Sequence, residues 1–209
     1  MKFIKRNSIL ALILSISFSF LFSSCKKDDE NENPTTQASY FPLTTGSTWS
    51  YQDETNQTYV HTLTSQTKNI GGFSWNIITV TPNIADEDIL VRLDASSQIV
   101  YRAIDFTDGG GILILEPIAD LDAKVGDTWT QNNEQDGVFL NLKNTLLEKD
   151  VQKTINGKSY EKIMVVKSEL TSNFFDNSTS TLYFAAGIGL VAEEFEDGDY
   201  TRLVDYSIK

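Results

Sequence analysis

Leu140 to Lys153 reads LNLKNTLLEKDVQK, and the fold class turns on it. Leu142, Leu146 and Leu147 have partly helical spacing, and a helix here would make the chain mixed α and β. An earlier segment, Tyr59 to Lys68, reads YVHTLTSQTK and holds the matching place in what looks like a first copy of the same unit. It is rich in threonine, whose branched side chain suits a strand better than a helix. The first copy arbitrates for the second, and both segments are predicted as strands.

Four pairs of short matches trace the two copies. Gly46-Ser47-Thr48-Trp49 corresponds to Gly126-Asp127-Thr128-Trp129, 80 residues on. Ile70-Gly71-Gly72 with Trp75 corresponds to Ile155-Asn156-Gly157 with Tyr160, 85 residues on. Val91, Ile99 and Val100 correspond to Leu182, Leu190 and Val191, and Ile112-Leu113 with Leu115 to Leu203-Val204 with Tyr206, all 91 residues on. The order is collinear and the offset grows in two steps, as loop insertions in the second copy would make it. The copies span about residues 40–117 and 118–209. Two are too few to stack as a solenoid, so they must pack on or pair with each other.

Strand periodicity runs through both. Phe73-Ser74-Trp75-Asn76-Ile77 alternates apolar and polar, which puts Phe73, Trp75 and Ile77 on one face. Gly71-Gly72 and Asn156-Gly157 sit between strand-like runs and suit tight hairpins that need positive φ. Asp197-Gly198-Asp199 is a third such turn. The expectation is an all-β domain over 40–209 of about ten to twelve antiparallel strands, built as a sandwich or as an open or closed barrel.

Residues 1–24 have the form of an export signal. Lys2, Lys5 and Arg6 precede an apolar run from Ile9 to Phe22, and Ser23 and Ser24 supply the small residues of a cleavage site. A run of fourteen residues is too short for a relaxed helix across ~30 Å of hydrocarbon. The sole cysteine follows at once. LFSSC resembles the lipobox of bacterial lipoproteins, which implies acylation of Cys25 by palmitate-type chains and attachment to a membrane. Phe22 departs from the leucine usual at its position. Lys26-Lys27-Asp28-Asp29-Glu30 is similar to the lysine-then-acidic signal of surface lipoproteins in the Bacteroidota, which implies the outer membrane and an outward-facing address. The rest of 25–39 has almost nothing apolar to bury and reads as a flexible tether.

Removing residues 1–24 leaves 14 basic against 29 acidic residues, a net charge of −15. A surface this acidic repels phosphate backbones, which speaks against nucleic acid as a partner. With no second cysteine, no disulfide can form within the chain.

Two stretches carry a wider resemblance. YFPLTTGSTWSY (Tyr40 to Tyr51) and YFAAGIGLV (Tyr183 to Val191) are similar to paired signatures of uncharacterised secreted bacterial proteins and lipoproteins. The resemblance implies an all-β fold and brings no activity with it. Lipocalins begin with Gly-x-Trp, whereas the spacing here is Gly-x-x-Trp, twice.

The search for chemistry is mostly negative. His61 is the only histidine, which makes a zinc site or a Ser-His-Asp triad a poor fit, and no Gly-x-Ser-x-Gly elbow accompanies it. Alternating with Val60 and Thr62, it is expected on a solvent-facing strand surface. Gly109-Gly110-Gly111 has no helix signal behind it to form a phosphate site. Asp86-Glu87-Asp88 and Glu193-Glu194-Phe195-Glu196-Asp197 could furnish a carboxylate pair for hydrolysis, yet they also fit charged strand edges and turns. Trp49 and Trp129, at matching positions, are expected in the core. Trp75 and Tyr160 are the aromatic pair named for a ligand site. The functional expectation is a lipid-anchored, non-enzymatic binding or structural module without metal or cofactor. Its ligand is left open among an apolar small molecule, a glycan and an envelope protein. The alternative is an envelope hydrolase with a carboxylate pair.

Overall fold

The computed structural model describes residues 39–82, 88–106, 112–135, 137–173 and 176–209, with the backbone alone at 104–106, 112–113 and 135. The export segment, Cys25 and the tether up to residue 38 lie outside the described residues, as do Asp86, Glu87 and the glycine run at 109–111. The regular elements described are twelve strands. They are β1 (Thr48–Asp53), β2 (Thr58–Ile70), β3 (Phe73–Thr81), β4 (Ile89–Asp94), β5 (Ile99–Phe106) and β6 (Ile112–Asp120), then β7 (Thr128–Gln135), β8 (Val138–Ile155), β9 (Lys158–Ser172), β10 (Ser178–Ala185), β11 (Gly189–Phe195) and β12 (Tyr200–Ser207). All belong to one antiparallel sheet in the order β6-β5-β4-β3-β2-β1-β12-β11-β10-β9-β8-β7.

The stretch that decided the fold class lies wholly within β8. Its burial alternates with period two: Leu140, Leu142, Asn144 and Leu146 are buried, while the residues between them are partly or fully exposed. A helix would scatter these side chains around its axis; a strand gathers them on one face. Both expected tight hairpins are present. Gly71 and Gly72 have φ of 61° and 80°, Asn156 and Gly157 of 49° and 74°, and each pair joins two strands directly.

The segments matched in sequence fall on strands six apart, so that β1 to β6 correspond in order to β7 to β12. The approach to β1 and β7 is bonded alike. The Gly46 N–H donates to the Leu63 carbonyl at 2.8 Å and the Leu63 N–H to Ser47 O at 3.0 Å. The Gly126 N–H donates to Leu146 O at 2.8 Å and the Leu146 N–H to Asp127 O at 3.0 Å.

The first six strands meet the last six where β1 pairs with β12, from Thr48 opposite Ser207 to Asp53 opposite Thr201. The two sheet edges, β6 and β7, come together on the other side and close the sheet almost into a barrel, which decides against a sandwich. Here side chains replace the ladder. The Asn133 amide on β7 accepts from the Leu115 N–H through Oδ1 at 3.2 Å and donates to the Leu115 carbonyl through Nδ2 at 3.1 Å. The Trp129 indole N–H and the Asn144 amide both donate to Pro117 O, at 2.6 and 2.8 Å. Pro117 has no N–H to leave unpaired at this edge.

One end of the barrel is plugged by the residues leading into β1. Phe41 packs against Phe184 with ring centroids 6.4 Å apart, and the Tyr40 hydroxyl donates to Asp150 Oδ1 at 2.8 Å. Trp49 donates to Ile188 O at 2.6 Å, and a Cβ on Gly189, whose φ is +106°, would lie 3.5 Å from its indole nitrogen. Substituting Asn133 by Ala strips the seam of two hydrogen bonds and should destabilise the fold by about 1–3 kcal/mol. The Leu115 amide, read by hydrogen exchange, should exchange faster while amides in the β1–β12 ladder keep their protection.

Candidate functional site

Strand alternation and closure together make an interior. The inward residues toward the unplugged end line a cavity of about 520 Å³. Eleven of the twelve strands contribute to it, and the floor between it and the plug holds a smaller cavity of about 60 Å³ bounded by Phe41, Pro42 and Trp49. Much of the main wall is apolar, with Ile118, Leu142, Leu170, Leu182 and Leu190 among its residues.

A polar belt interrupts that wall. On β8, β9 and β10 the register sets Asn144 opposite Ser168 and Ser168 opposite Ser180. Glu193 on β11 accepts from the Ser180 hydroxyl at 3.1 Å. Across the lumen, Arg102 on β5 donates through Nε to Glu116 Oε2 on β6 at 2.5 Å, and its Nη1 stands 3.8 Å from Glu193 Oε2. Strands β5 and β11 lie six places apart in a ring of twelve, so this ion pair spans the barrel. Glu116 foremost, then Glu193, holds the guanidinium charged well above the ordinary arginine range, against the opposing effect of burial.

On the opposite wall Tyr51, Tyr59 and His61 form an aromatic cluster, with the Tyr51 and His61 rings 4.7 Å apart and those of Tyr59 and His61 5.6 Å apart. Tyr51 donates to Leu190 O at 2.9 Å, and Tyr59 shares a hydrogen bond with Thr201 at 3.0 Å. Burial pushes both phenols up. Burial, reinforced by the charge on Arg102, pulls His61 down to about 4.

His61 therefore does not occupy the solvent-facing strand surface expected of it. Trp49 on β1 pairs with His61 on β2, and since Trp49 is inward its cross-strand neighbour is inward too. The corresponding pair on β7 and β8 is Trp129 with Asn144. Trp49 is buried as expected, whereas Trp129 is half-buried at the β6–β7 seam.

Trp75 and Tyr160 are not brought together. Trp75 is 0% exposed among Ile77, Leu90 and Ala103, beneath the Arg92 guanidinium, and donates to Ile70 O at 3.2 Å. It alternates with Ile78 and Val80 and so faces away from the cavity. Tyr160 is 6% exposed and packs in the cluster that holds Ile155, Ile163 and Val165. Neither ring lines the two cavities described here.

The acidic segment Glu193 to Asp197 also divides. Glu193 turns into the cavity, whereas Glu194 takes Arg202 at 2.8 Å and the Tyr183 hydroxyl at 3.4 Å on the other face. Neighbours on one strand point opposite ways, so these two carboxylates do not share a cleft. Asp88 stands at the rim of the cavity. Among the described residues no group of three or more His, Cys, Asp or Glu side chains could hold a metal ion.

Arg102, Glu116 and Asn144 were missed in the sequence, though the first two left a signal. Glu116 is a lone carboxylate in the apolar run from Ile112 to Ile118. Arg102 is in phase with the buried Val100 and lies 91 residues before Glu193, the spacing that relates these strands.

Neither a protein-family model nor a curated protein matches the chain. A crystal structure described as that of a "putative lipoprotein from Parabacteroides distasonis" aligns with a TM-score of 0.42 at 12% identity, over 82% of this chain and 99% of the other.

A histidine whose value is depressed in the folded state stabilises the protein above its ordinary value, and that contribution is lost as the pH falls from 6.5 toward 4. Between pH 7 and 5 the loss attributable to His61 should be about 2 kcal/mol. In His61→Asn, which carries the residue of the matching β8 position, denaturant titrations at the two pH values should differ by correspondingly less.

Proposed function

We propose that the protein is a lipid-anchored outer-membrane module, held by acyl chains on Cys25, facing the cell exterior and binding a small ligand inside its barrel without transforming it. The observation that carries the binding part is the cavity of about 520 Å³, closed at one end by the lead-in to β1. That volume falls within the range of small-molecule sites, and an apolar wall with a few convergent polar groups is their usual chemistry. A purely structural module would gain more from a filled interior, since packed apolar side chains stabilise and voids destabilise. The anchoring part is supported by LFSSC and by the lysine-then-acidic run behind it.

Two measurements test the reading. Cells fed an alkyne palmitate analogue should label the wild type and not Cys25→Ser, and protease added to intact cells should remove the protein. The mature protein, released from membranes in mild detergent, should carry a reproducible added mass in its native spectrum. That adduct should disappear in Leu182→Trp, which fills the cavity. Labelling that persists without Cys25 would sink the anchor, and a mass free of any adduct in protein taken directly from cells would count against a retained ligand.

A further inference from the structure

We infer that the cavity takes a small organic cation: a protonated amine on an apolar body, with its ammonium against Glu193, Glu116 and Asn144 and its body along the leucines of the wall. The inference rests on the reading of the cavity as a ligand site and adds the chemistry of what enters.

Asn144 gives the first reason. Its side chain is 1% exposed, and its amide nitrogen donates to Pro117 O at 2.8 Å. A proline carbonyl can only accept, so the orientation of the amide is settled by that bond. Asn144 lines the cavity, and its buried Oδ1 has no hydrogen-bond partner. A buried acceptor without a donor is costly, and a donor brought into the cavity that Asn144 lines would relieve that cost.

Charge gives the second reason. Four charged side chains line the cavity among the described residues: Arg102, Glu116, Glu193 and Asp88. Three carboxylates face one guanidinium, and His61 is neutral at physiological pH. A carboxylate or phosphate ligand would enter against this balance, through a chain that is strongly acidic throughout. A cation enters with it.

Several donors in the wall are already engaged by the protein itself. Tyr51 donates to Leu190 O, and Ser180 to Glu193. Tyr59 and Thr201 bond each other, and Arg102 is turned to its two glutamates. Ser168 and Ser178 also line the cavity with hydroxyls that give or take, so the acceptors that cannot also donate are the carboxylates. Sugar hydroxyls, which both give and take hydrogen bonds, match such a wall less well than an ammonium, which only gives. The ring faces of Tyr51 and Tyr59 add a surface that attracts cations and not anions.

The probes are 4-phenylbutylamine, 4-phenylbutanol and 4-phenylbutyrate, which share one apolar body and differ in the head group. The mature lipoprotein in nanodiscs of zwitterionic lipid is titrated with each at pH 7, and empty discs correct for partition. The amine should bind at least 10-fold more tightly than the alcohol, and the carboxylate more weakly than either. Glu193→Gln should remove most of the amine's advantage over the alcohol. Asn144→Leu, which removes the unpaired acceptor, should reduce that advantage, with circular dichroism confirming that both variants are folded. A carboxylate that binds as well as the amine, an amine no tighter than the alcohol, or an amine advantage that survives Glu193→Gln overturns the inference and leaves the cavity as a binding site. Failure of all three probes to exceed empty discs, with no native adduct, overturns both.

Discussion

An antiparallel sheet of twelve strands has two edges, and a long unpaired edge is a template for aggregation. Here the edges are β6 and β7, and Asn133 lends its amide where a backbone would otherwise be needed, giving and taking one hydrogen bond with the same residue, Leu115. Everything enclosed depends on that seam. If it opens, the inward faces of β5, β6 and β8 are exposed to water, and the belt that joins Arg102, Glu116 and Asn144 loses its geometry. Pro117 is well suited to this place: its carbonyl serves two side-chain donors while it presents no N–H of its own to an edge.

The two halves correspond in position and diverge in chemistry. Trp49 faces His61 where Trp129 faces Asn144, and Arg102 lies at the place that Glu193 holds 91 residues later. The last pair meets across the lumen, because strands six apart in a ring of twelve are opposite each other. Opposite charges at corresponding positions can attract there, whereas identical residues would set like against like. The backbone scheme around Gly46 and Gly126 is the same to within a few tenths of an ångström, while the side chains these halves turn to the cavity differ.

Much of the architecture was legible because it rests on local rules. Alternation in β3, two hairpins with Gly or Asn at positive φ, and the threonine-rich partner of β8 each pointed to strands. The site was less legible, for a reason of geometry. Alternation separates two faces of a strand without saying which is inward, and several strands here have buried residues on both. Trp75 and Ile77 are apolar and buried on one face of β3, while Ile78 and Val80 take the cavity side. His61 shows the converse: flanked by Val60 and Thr62, it read as surface, yet its pairing with Trp49 turns it inward. Bulges add to the difficulty, since a shift between Ser50 and Tyr51 or between Tyr183 and Phe184 resets the phase that a count along the sequence would assume.

The ionic belt has an energetic implication of its own. Burying Arg102 with Glu116 and Glu193 carries a desolvation penalty that mutual attraction repays only in part, and apolar residues of similar volume often stabilise as well or better. Removing one partner is another matter, because it leaves an uncompensated charge and costs about 3–5 kcal/mol. Stability alone would therefore favour a leucine-filled barrel, and the polar belt is expensive relative to that alternative. It becomes intelligible if the charges face something in the lumen. The side-chain exposures of 29% at Arg102 and 15% at Glu193 show that water reaches the pair inside the barrel. Hydration lowers the penalty in the empty state, and a ligand that displaces this water must replace its hydrogen bonds. Asn144, on β8 in the wall of the same cavity, also has an Oδ1 without a partner, and a donor-rich cationic head suits both needs.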